Sequence, residues 1–122
     1  MNNQKLEQIF KIQLINLIND LLVVFSQDSF ILEVKSQFQN KMEQPNFFIT
    51  LTQYFSKDIE ECIINKNDAN LFKTNYTFIP TSKEDIVKLK LIKYWNILSI
   101  KNKDKVWDYL NILLQIYKNI KL

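Results

Sequence analysis

The chain has 122 residues, enough for one domain with a core of its own, and a net charge of only +3. It has no Gly, no His and no Arg, one Cys and two Pro, and all 16 basic residues are Lys. Those absences exclude Gly-rich phosphate loops, imidazole bases and Ser-His-Asp or Cys-His arrangements, guanidinium clamps and the usual zinc sites.

A chain without Gly lacks the residue that tight β-turns place at positive φ, so helices are favoured over an all-β architecture. Asn is then expected at the C-cap and turn positions that Gly usually holds. The hydrophobic share of 47% predicts a packed globule rather than a disordered tail. Abundant Lys, Ile and Asn with a single Ala look like the output of an AT-rich genome, which weakens any reading of the Lys content as selected for a partner.

The first helix is predicted from about residue 3 to Phe25. Phe10, Leu14, Leu17, Leu21 and Val24 repeat at steps of four and three, with Ile15, Ile18, Leu22 and Phe25 as an adjoining strip. Ser26 to Asp28 is a break. A second helix follows from about Ser29 to Met42, with Ile31, Val34, Phe38 and Met42 as its buried edge; the β-branched and aromatic residues from Phe30 to Val34 leave a short strand as the alternative. Pro45 suits the first turn of a third helix reaching Ile64, with Phe48, Leu51, Phe55, Ile59 and Cys62 on one face. Asn65 to Asp68 is a turn, and residues 69–73 admit one helical turn. Thr74 to Ile79 is β-prone, a short extended segment near residues 74–80 that Pro80 ends.

Thr81 and Glu84 form a capping box at the start of a fourth helix, whose stripe is Val87, Leu91, Tyr94 and Leu98 with Trp95 beside it. Ser99 to Lys101 turns the chain into the last helix, Asn102 to Leu122, with Asn102 as N-cap and Asp104 in its first turn. Val106, Leu110, Leu113, Tyr117 and Ile120 line one face, Trp107 and Leu114 widen it, and Tyr109, Ile112 and Ile116 make a second strip. A helix apolar over most of its circumference must be covered on most sides. The expectation is a single all-α domain over residues 1–122: a compact bundle of four or five helices with the C-terminal helix central and hairpinned to the fourth. Val106, Trp107, Leu110, Leu113, Leu114 and Tyr117 are its core or interface residues.

Chemistry has few places to sit. Asp58, Glu60 and Glu61, and separately Asp104 and Asp108, read as solvated faces rather than cation sites. Cys62 reads as a small core residue, and Asn75-Tyr76-Thr77 as a chance match to a glycosylation acceptor. No catalytic residue, metal, cofactor or small-molecule substrate is assigned, and the protein is expected not to be an enzyme. Charge is uneven: residues 83–122 carry 9 Lys against 4 acids and residues 1–82 carry 7 Lys against 9 acids, or +5 and −2. Lys83, Lys90, Lys93, Lys101, Lys103 and Lys105 are therefore the candidate nucleic-acid contacts, able to attract phosphates without reading sequence. Against this stands Lys as the only available solubilising cation.

Several strings resemble a pattern in small proteins of nucleocytoplasmic large DNA viruses: residues 20–25, Asn70-Leu71-Phe72 with Phe78-Ile79-Pro80, residues 95–99 with 101–105, and residues 106–114. Ser26 stands where that family tends to have Pro, Thr81 where it has Gly, and Asp108 and Asn111 where it has Lys and Gln. The resemblance implies an α-helical viral protein in an infected cell or virion and carries no site residues. A lone Cys and the lack of a visible signal peptide or membrane span agree with an intracellular, soluble protein. The leading expectation is a helical protein-interaction or structural module that docks a protein partner or itself; the alternative is a non-specific nucleic-acid-binding accessory protein.

Overall fold

In the computed structural model, which describes residues 3–51, 57–67 and 83–120 apart from the side chains of residues 83–88, the chain is all-α, with no strand among the described residues. The helices are α1 (Asn3–Val24), α2 (Ser29–Met42), α3 (Phe47–Leu51), α4 (Lys57–Ile64), α5 (Lys83–Ile97) and α6 (Ile100–Asn119). The expected third helix is described as two pieces, α3 and α4. The possible helical turn at residues 69–73, the β-prone residues 74–80 and the cap residue Thr81 lie outside the described residues. Residues 30–34, where a strand was the alternative, are helical.

The C-terminal helix is central. α6 packs along α1 and against α4, while α1 also packs against α2. Both strips of α1 are thereby used. Phe10 and Leu17 join Leu113 and Ile120 with Met42, Phe47 and Phe48 in one cluster, and Ile18 and Leu22 join Ile31 in another. A third cluster unites Ile63 with Trp95, Leu98, Trp107 and Leu114, the last with no exposed surface. Aromatic edges meet faces in two of these clusters: Phe10 and Phe48 lie 5.4 Å apart, and Trp95 and Trp107 also 5.4 Å.

The element ends correct several expectations. α6 begins at Ile100, because the Ser99 hydroxyl accepts a hydrogen bond from the Asn102 N–H at 3.1 Å. The Ser99 side chain caps the helix, Asn102 lies inside it, and Asp104 falls outside the first turn. Pro45 precedes its helix, in a turn closed by the Phe47 N–H on the Gln44 carbonyl, where its fixed φ suits the second position. At α2 the Asp28 carboxylate is the N-cap, taking the N–H groups of Phe30 and Ile31.

The left-handed positions are held by Ser26 and Gln27 after α1 and by Lys66 after α4, rather than by Asn. Ser26 has φ 52° while the Gln27 N–H reaches the Leu22 carbonyl and the Ser26 N–H the Val23 carbonyl. Lys66 has φ 51° with the equivalent pair of bonds to Cys62 and Ile63. These are the two bonds of a Schellman motif, which satisfies carbonyls the helix leaves open whatever residue takes the strained position.

α5 departs from the expected hairpin. It meets α6 near the turn through Trp95 and Trp107, yet among the described residues it is not one of the closely packed helix pairs. Apolar space remains between it and the α1–α2–α6 layer.

Candidate functional site

α1 and α6 run antiparallel: Phe10 clusters with Leu113 and Ile120, while Val24 shares a small surface depression with Asn102 and Lys105. The carboxyl end of α1 therefore lies at the same end of the bundle as the α5–α6 turn. Val23 there is 75% exposed, Ile97 68% and Ile100 81%. Single exposed apolar side chains are ordinary, but three on neighbouring element ends are a feature of that surface. The Tyr109 hydroxyl donates to Asp20 just below this end, fastening α6 to α1. That bond, with some burial, holds the Tyr109 hydroxyl above the ordinary phenol range.

The candidate lysines do not form one face. Lys101 and Lys105 are exposed and stand one turn apart on the same side of α6, whereas Lys103 lies between them in sequence and so on the opposite side. Its ammonium sits 5.6 Å from the centre of the Trp95 ring. Lys90 lies 5.2 Å from the Phe30 ring on α2. Lys93 is exposed on α5, and the side chain of Lys83 lies outside the described residues. Trp95 and Tyr94 face inward: Trp95 is 6% exposed, and the Tyr94 ring lies 4.9 Å from Phe25 and 5.3 Å from Phe30.

Among the predicted core residues Trp107, Leu113 and Leu114 are buried, and Val106, Leu110 and Tyr117 pack half-buried against the clusters. Burial, with the nearby Glu60 charge, raises the Tyr117 hydroxyl above its usual range. Cys62 is buried on α4. Asp58, Glu61, Asp104 and Asp108 are exposed, and Glu60 pairs with Lys118 at 3.1 Å, a bridge from α4 to α6. Among the described residues no three of Asp, Glu and Cys converge as metal ligands. No described helix is long and apolar enough to cross a membrane.

Two features escaped the sequence. Val23 falls off both apolar strips of α1, and Ile97 off the stripe of α5; that signal was present in the spacing. The other is a cavity of about 310 Å³ between α5 and the α1–α2–α6 layer, walled by Ile18, Leu21, Phe38, Trp95, Leu98 and Leu110 among others. Five of the side chains around it are less than a tenth exposed, while Leu91 at its mouth is 40% exposed, so it is a half-open groove rather than a sealed void. Compared with models of known protein families, with curated proteins and with solved structures, the chain matches none.

Proposed function

We propose that this chain is a non-enzymatic helical interaction module that docks a protein partner at the end of the bundle where α1 stops and α5 turns into α6. The observation that carries this is the exposure of Val23, Ile97 and Ile100 on adjoining element ends. Burying those three side chains on a partner would release their apolar surface from water, the main driving force of association. Lys101 and Lys105 stand exposed beside them. Asp20 and Asp104 are exposed at the same end, so its charge is mixed and the partner, another protein or a second copy of this chain, is one with an apolar centre. The viral resemblance of the motifs suggests an infected cell or virion as the setting.

The test is site-specific photo-crosslinking from position 97, compared with position 39, which is exposed in the last turn of α2. A protein captured from position 97 is then purified and titrated against the Val23→Ser, Ile97→Ser, Ile100→Ser triple variant. Direct binding that weakens at least tenfold in the triple variant supports the reading. Equal capture from both positions, or unchanged binding, overturns it.

A second reading, non-specific nucleic-acid binding, draws on the exposure of Lys93, Lys101 and Lys105. It requires affinity for both DNA and RNA that falls steeply with salt.

A further inference from the structure

The cavity beneath α5 has the character of a ligand site rather than of a packing defect. Protein interiors pack as densely as organic crystals, and an empty apolar void costs stability in proportion to its volume. At about 310 Å³ this one is twice the size of the ~150 Å³ engineered void that stays dry and takes up benzene. Its size is at the lower end of ordinary small-molecule pockets, and its walls are the Leu, Ile, Val, Phe and Trp side chains such pockets use. Solvent reaches the open side of the groove, but ordered water finds little to hold it deeper in, because a buried water needs two to four polar partners. The one hydroxyl among its described walls, that of Tyr94, already donates to Asp28 at 2.8 Å.

The shape narrows the ligand class. The walls run from Leu14 on α1 to Phe25 just past its end, from Ile31 to Phe38 on α2 and from Leu91 on α5 to Leu98 just past its end. At 1.5 Å per residue the slot is roughly 10–16 Å long. A volume of about 310 Å³ spread over that length leaves a narrow cross-section, close to that of one extended hydrocarbon chain. We infer that the cavity binds a single aliphatic chain, such as the acyl chain of a fatty acid, lying along α1 with its head at the opening past Leu91. Lys90 is the residue before Leu91 and keeps an exposed ammonium over the Phe30 ring, so the opening offers a cation to a carboxylate head. A small-molecule ligand goes beyond the sequence expectation, because the void is made by how far α5 stands from its neighbours, which no residue pattern encodes.

Decanoate, below the concentration at which it forms micelles, is the probe. Intrinsic fluorescence reports directly, since Trp95 lines the cavity and Trp107 packs on it. The expected result is saturable uptake of one decanoate per chain with a rise in Tm. Val34→Phe and Leu91→Phe, from facing walls on α2 and α5, should each weaken uptake at least tenfold while raising the Tm of the ligand-free protein. Each variant's folding is checked by circular dichroism, and nuclear Overhauser contacts from the chain methylenes to the Trp95 indole in the unsubstituted protein give a readout that needs no variant. Non-saturable binding, uptake unchanged by both substitutions, or no contact to Trp95 overturns the assignment. A lower Tm in both ligand-free variants also overturns it, because the space is then already filled by the protein's own side chains.

Discussion

The hydroxyl of Tyr94 donates to Oδ1 of Asp28 at 2.8 Å, the same oxygen that caps α2 by accepting from the Phe30 and Ile31 N–H groups. A single carboxylate thus starts α2 and fastens α5 to it. Tyr94 first, then the two backbone N–H groups and the Lys90 charge, hold the Asp28 carboxyl below its usual 3.8 against the effect of burial. The same bond, with burial, holds the Tyr94 hydroxyl above 10.0. Asp28 therefore contributes stability that is present above pH 3.8 and is lost as pH falls through its lowered value. Tyr94 and Tyr109 contribute stability that is present below pH 10.0 and is lost as pH rises through their raised values. Urea midpoints at pH 3 and pH 6 should differ in the wild type, and that difference should shrink in Tyr94→Phe. An undiminished difference would assign the acid sensitivity to other carboxylates.

α6 offers a sharp internal contrast. Leu114 has no exposed surface, whereas Ile112, two residues away, is 45% exposed. Leu114→Ala should cost about 2–5 kcal/mol, the transfer of its buried methylenes plus the void they leave. Ile112→Ala should change stability by about 1 kcal/mol or less, since Ala is the better helix former and offsets part of the lost contact. Urea unfolding of the two variants checks this. Equal losses would mean that α6 is not covered on the Leu114 side as described.

Ser26 and Lys66 occupy left-handed positions where a Cβ crowds the carbonyl that follows. Ser26→Gly and Lys66→Gly should each raise stability by about 1 kcal/mol, less the extra freedom Gly gives the unfolded chain. Thermal unfolding reads the gain directly. A loss in both would show that the side chains do more there than cap a helix.

The lysines of residues 83–105 separate into two groups with different expected effects. If nucleic acid binds, Lys101→Gln with Lys105→Gln should lower the slope of log affinity against log salt by about 2. Lys90→Gln with Lys103→Gln removes cations that lie over Phe30 and Trp95, and should cost about 0.5–1 kcal/mol of stability at each site. Fluorescence anisotropy across a salt series and thermal melts distinguish these effects.

Helix identity was legible wherever apolar residues kept a step of three and four. Phe10, Leu17 and Leu113 are buried as their spacing predicts, and the breadth of the α6 strips foretold its central place. The start of α6 was misread because Asn102 and Ser99 are both good caps; only the backbone shows that Ser99 takes the extended conformation at φ −65° and ψ 160°. Asp28 was passed over as part of a break, though an Asp followed by an apolar-periodic run is itself a start signal. The exposure of Val23 and Ile97 could have been read from their places off the strips, but the cavity was beyond reach, because it depends on distances between helices. Periodicity tells which face of Leu91 or Leu98 turns inward, and nothing about how far away the next helix stands.

The first and last described helices form the main pairing of the bundle, and Asp20 and Tyr109, 89 positions apart, are bonded across it. Growth of the chain from its amino end gives this arrangement a temporal meaning. α1 leaves the ribosome with Phe10, Leu14, Leu17 and Leu21 uncovered, and their partners on α6 arrive only when almost everything between has been made. Nothing shorter than the full span from α1 to α6 completes the core, so the nascent chain carries an open greasy face for most of its synthesis. Premature termination ahead of α6 would leave a product without its central helix, exposed to aggregation and to proteases.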